Sequence, residues 1–119
     1  MSGDIDEMEG NGDVEGLIKA LRDYDFDSCG AAKALGRLGD KRAIEPLVRG
    51  LGCNYECVQA SCARDLGAIG DKSALRALED VAQSENNAGG VRSEARIAIK
   101  QIKLSLTLDE GENDDTRIY

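Results

Sequence analysis

At 119 residues, with a net charge of −8 and only four aromatic side chains, the chain has room for one domain with a modest aliphatic core. It contains no histidine, which removes the commonest general base, the commonest zinc ligand and every triad that uses imidazole. No run approaches the ~18 apolar residues of a membrane span, and the opening Met-Ser-Gly-Asp-Ile-Asp-Glu lacks the basic and apolar regions of a secretion signal, so a cytoplasmic location is expected.

The acidity sits at the ends. Asp4, Asp6, Glu7, Glu9 and Asp13 give residues 1–13 a charge of −5. Asp109, Glu110, Glu112, Asp114 and Asp115 against Arg117 give residues 109–119 a charge of −4. The middle is left with 14 basic and 13 acidic side chains, a charge of +1. Residues 1–12 and 109–119, rich in Gly, Asn and Asp, therefore read as disordered acidic tails around a folded domain at 13–108.

In chain order the spacing predicts six helices, at about 13–22, 24–37, 41–51, 55–68, 72–84 and 88–104. The first carries Val14, Leu17, Ile18 and Leu21. The second carries Ser28, Ala31, Ala32, Leu35 and Leu38, and the third Ala43, Ile44, Leu47, Val48 and Leu51; both fit a period of 3.6 and neither fits alternation. A shift of 31 positions then carries Ala32 onto Ala63, Leu35-Gly36 onto Leu66-Gly67, Gly39-Asp40-Lys41 onto Gly70-Asp71-Lys72, and Leu47 onto Leu78. A shift of 33 carries Asn54 to Asn87, Val58 to Val91 and Ile69 to Ile102, while 30 backwards carries Leu47 to Leu17 and Leu51 to Leu21. With the two repeated helix types denoted A and B, the order is B, A-B, A-B, A. Such a unit cannot bury its apolar face alone and stacks on copies of itself.

Punctuation supports these helices. Asp23, Asn54 and Asn87 stand where N-caps of the A helices are expected. Gly39 and Gly70 suit a left-handed closing residue, and Asp40 and Asp71 suit the cap of the next helix. Gly36 and Gly67 lie inside A helices, where glycine costs about 1 kcal/mol relative to alanine, so a close helix contact is expected there. Pro46, inside the first complete B helix, predicts a bend.

The run Ala31-Ala-Lys-Ala-Leu-Gly-Arg-Leu-Gly-Asp-Lys-Arg-Ala-Ile-Glu-Pro-Leu47 and its second copy, Cys62 to Leu78, resemble the short HEAT-like repeat of phycobilin-lyase-type proteins and small scaffolds. The resemblance covers about residues 13–103 and implies an all-α fold, a right-handed α-α superhelix whose B helices line the concave face. It implies no single function, because such repeats serve chromophore-attaching enzymes, DNA-repair enzymes and adaptors alike.

Four cysteines without a secretion signal read as free thiols in a reducing compartment. Cys53 and Cys57 share a helical face, but no paired CxxC knuckle exists among Cys29, Cys53, Cys57 and Cys62, and Cys62 occupies the small buried slot of Ala31. No catalytic residue, metal site or cofactor is expected, and a lyase or thiol enzyme is a minor alternative. On the B helices, Lys19, Arg22, Lys41, Arg42, Arg49, Lys72 and Arg76 interleave with Glu15, Glu45, Glu79 and Asp80, which disfavours a phosphate-binding stripe and hence nucleic acid as partner. What remains is a non-enzymatic scaffold binding another protein, with Lys19, Arg42, Arg49 and Arg76 as contacts for an acidic segment. The unpaired end helices leave apolar surface that Leu104, Leu106 and Leu108 would cover as a folded-back lid, with Ile5 and Met8 at the front. A monomer is then expected, with end-to-end self-association as the alternative.

Overall fold

The computed structural model describes residues 5–22 and 26–114, the side chains of 26, 27 and 107–114 apart. Seven α-helices and no strand occur among them: α1 Ile5–Gly10, α2 Val14–Arg22, α3 Phe26–Leu38, α4 Ile44–Gly50, α5 Glu56–Ile69, α6 Leu75–Gln83 and α7 Gly89–Asp114. The A helices α3, α5 and α7 pack side by side in one layer, and the B helices α2, α4 and α6 form the other. The result is a helical solenoid. Its core is aliphatic and continuous along the array, from Leu17, Leu21 and Leu35 through Leu47, Val58 and Leu66 to Leu78, Val91 and Ile102, all fully buried or nearly so.

Each A-to-B turn is built as the residue pattern requires. Gly39 and Gly70 adopt φ of 66° and 76°, the left-handed region that glycine enters without a steric penalty. The next carboxylates then cap: Asp40 accepts from the Arg42 N–H and Asp71 from the Ser73 N–H, each at 2.9 Å. What they cap is a single 3₁₀ turn, Lys41–Ala43 or Lys72–Ala74, which leads into α4 or α6.

That turn displaces the start of α4 to Ile44 and corrects the expectation at Pro46. The proline falls in the first helical turn, where its missing N–H has no intrahelical acceptor to lose. Caps of the A helices are also corrected. Tyr55, with no side-chain hydrogen bond, precedes α5, and Asn87 donates its amide to the Val81 carbonyl at 3.2 Å instead of capping α7. Asp23 lies outside the described residues.

At the ends of the array Ile5 and Met8 cover the front as expected, but the acidic segment and the leucine run differ from expectation. Residues 5–10, assigned by composition to a disordered tail, form α1; Ile5 and Met8 pack on the core, and Glu9 accepts two hydrogen bonds from the Arg37 guanidinium, at 2.7 and 2.9 Å. A short acidic segment is ordered here because an apolar edge and a bidentate base receive it. At the other end the leucine run does not fold back: α7 continues unbroken to Asp114, with Leu106 packed on the core and Ile97 and Leu104 exposed at 52% and 54%.

Candidate functional site

Four groups of residues bear on function: the basic side chains of the B layer, a groove between α4 and α6, a buried carboxyl, and the cysteines. The basic residues singled out from sequence are all exposed but are not gathered into one site. Arg42, on the 3₁₀ turn before α4, holds Asp40 at 2.9 Å and reaches Glu15 of α2 at 3.5 Å. Its two side-chain and backbone hydrogen bonds keep the Asp40 carboxyl below the usual range. Arg49 pairs with Glu45 one turn away at 3.3 Å. Lys19 on α2 and Arg76 on α6 have no ion pair among the described residues.

The groove lies where the C-terminal halves of α4 and α6 stand apart, with a volume of about 590 Å³. Val48, Leu51, Ala77, Val81 and Ala88 supply its apolar surface; Asn54, Glu56, Gln59, Asp80, Asn86 and Asn87 supply polar groups, with Cys53 beside them. None of Lys19, Arg42, Arg49 or Arg76 lines it. Asn54 and Asn87 recur at the repeat's spacing, and both line the groove instead of capping A helices.

The walls of this groove are fixed by an interaction that recurs with different residues. The C-terminal carbonyls of each B helix are unpaired within that helix, and the next A helix reaches back to them. Ser28 Oγ lies 3.2 and 3.1 Å from the Ala20 and Leu21 carbonyl oxygens. Gln59 Nε2 donates to Leu51 O at 3.1 Å, and Arg92 Nε to Ala82 O at 3.3 Å. Ser28, Gln59 and Arg92 are spaced by the repeat's own 31 and 33 positions.

Asp65 on α5 is 6% exposed, and its Oδ2 is buried with no hydrogen-bond partner among the described residues. Burial raises its pKa to about 7, against the opposing attraction of Arg64, Arg37 and Lys33. Room for it comes from Gly36 on α3, where a Cβ would stand 2.5–2.7 Å from the Asp65 carboxyl and Cβ. At the next seam Gly67 serves differently: a Cβ there would lie 2.8 Å from the Ala98 Cα of α7. Both glycines are thus required by close contact.

The expectation of four free thiols is corrected. Cys29 of α3 and Cys57 of α5 form a disulfide, their Cα atoms 6.3 Å apart, because packing α3 against α5 brings these two positions face to face. Cys57 is therefore unavailable as a partner of Cys53 in a metal pair. Cys62 is fully buried against Gly50, and burial pushes its thiol far above the usual range. Cys53 is half-buried and free, with its Sγ 3.6 Å from the Tyr55 carbonyl oxygen. Among the described residues, no three His, Cys, Asp or Glu side chains converge as metal ligands would, and no helix is long and apolar enough to cross a membrane.

No curated protein matches the sequence. The profile of the family described as HEAT repeats matches residues 14–100, that is, from the start of α2 into α7, the stretch in which the two layers alternate. The chain belongs to the HEAT-repeat family.

Proposed function

We propose that the protein is a non-enzymatic adaptor that binds another protein on the face formed by α2, α4 and α6. HEAT repeats generally mediate protein–protein interaction. The observation that carries the reading to this face is the opening between α4 and α6: the A layer is closed by direct helix contact, whereas the B layer leaves a groove with apolar and polar walls. Lys19 and Arg76 stand ready for acidic groups of the partner. Arg42 and Arg49 can join them, since exposed ion pairs of their kind are worth under about 1 kcal/mol and exchange readily. Nucleic acid is not the proposed partner, because basic and acidic side chains alternate on this face. As part of the same reading we place the protein in the cytoplasm, where the Cys29–Cys57 bond forms only against a reducing environment, as a monomer closed at its front by α1.

Affinity capture with wild type and with the variant Lys19→Glu, Arg42→Glu, Arg49→Glu, Arg76→Glu tests this. Loss of at least one partner is expected while helical circular dichroism is unchanged. An identical set of captured proteins shows that the face is wrong.

A further inference from the structure

We infer that the groove between α4 and α6 receives a cationic side chain, Lys or Arg, from an apolar segment of the partner protein. This rests on the adaptor reading and adds the chemistry of what is bound. Ion pairs occupy Glu9, Glu15, Asp40, Glu45, Asp71, Glu79 and Glu94 elsewhere on the described surface. Glu56 and Asp80, the two carboxylates of the groove, have neither an ion pair nor a side-chain hydrogen bond among the described residues, and no Lys or Arg lines the groove with them.

The amides are neutral and do not offset this charge. Gln59 commits its NH₂ to the Leu51 carbonyl and Asn87 commits its NH₂ to the Val81 carbonyl. A carbonyl can only accept, so each amide is oriented with one N–H engaged, leaving its oxygen as an acceptor and a second N–H as a donor. The groove therefore presents two carboxylates and neutral amide groups, with no basic side chain, beside Val48, Leu51, Ala77 and Val81. Helix-end charges do not reverse this balance, because the C-termini of α4 and α6 and the N-termini of α5 and α7 meet here in offsetting pairs. An ammonium or guanidinium donates several hydrogen bonds to such acceptors while its alkyl stem and apolar neighbours cover the aliphatic floor.

A displayed library of random peptides about twelve residues long, selected on the immobilised full chain, is the test. Enriched peptides are expected to carry Lys or Arg beside an apolar residue, and to bind Glu56→Gln, Asp80→Asn protein at least about ten-fold more weakly. They are also expected to slow maleimide alkylation of Cys53, the one free thiol on the groove wall. Enriched peptides with no excess of base, equal binding to the double variant, or an unchanged alkylation rate each overturn the inference. Acidic peptides that instead lose binding with Lys19→Glu, Arg76→Glu would sink the groove and leave the adaptor reading standing. No enrichment at all would sink both.

Discussion

Gly36 and Asp65 show how one residue sets the pH dependence of the whole. The carboxyl occupies the space left by the missing side chain on α3, with an oxygen that no group among the described residues satisfies. Its folded pKa of about 7 lies above the unfolded value near 4, so the folded state binds the proton more tightly. The destabilisation is absent below pH ~4, grows as pH rises towards 7, and is constant above that. Asp65→Asn is expected to raise unfolding free energy by about 2–4 kcal/mol at pH 8 and to change it little at pH 4, as read from denaturant melts at both pH values. An equal effect at both would mean that charge is not the cause. Depressed carboxyls act the other way: Asp71, held down first by the Ser73 N–H, and Glu9, held down first by Arg37, contribute stability that is lost as pH falls through their folded values.

At the scale of elements, the seams between A helices explain why glycine recurs in the wrong place for a helix. Gly67→Ala should gain about 1 kcal/mol of helix propensity. It should nonetheless lose more, because the new methyl meets the Ala98 backbone and α5 must move away from α7. A net destabilisation of about 1–3 kcal/mol is expected from overpacking, measured by urea unfolding. A stabilised variant would show that the helices are not in contact there. This seam was legible in the sequence, as were both Gly-Asp turns and the alternation of A and B, since each rests on a residue type with one physical use. The groove was not legible. Ser28, Gln59 and Arg92 do the same work on the carbonyls of the preceding helix, yet no identity links them, and the acceptor set of the groove depends on where amide hydrogens go once the helices are packed. The bases Lys19, Arg42, Arg49 and Arg76 could be read as exposed, and the Arg49–Glu45 pair follows from helical spacing; the reach of Arg42 to Glu15 could not be read, because ion pairing across elements follows only from the packed arrangement.

At the scale of the molecule, a stacked array owes its stability to neighbours, and each unit can open if its interfaces allow. The Cys29–Cys57 bond changes that rule for part of the chain. It closes a covalent ring that contains most of α3, all of α4 and the start of α5. Within the ring no terminus exists from which to fray, so opening must begin outside it, at α1 and α2 or at α6 and α7. Constraining the unfolded ring is worth about 3–4 kcal/mol by loop-closure entropy. Native-state hydrogen exchange should therefore show α3, α4 and α5 opening together in oxidised protein and separately once a dithiol has reduced the bond to two thiols. The same exchange pattern before and after reduction would show that packing alone couples them. If the pattern changes, an oxidant or reductant acting on two surface sulfurs decides whether the middle of the rod, where the groove has one wall, behaves as a single rigid link or as two hinged ones.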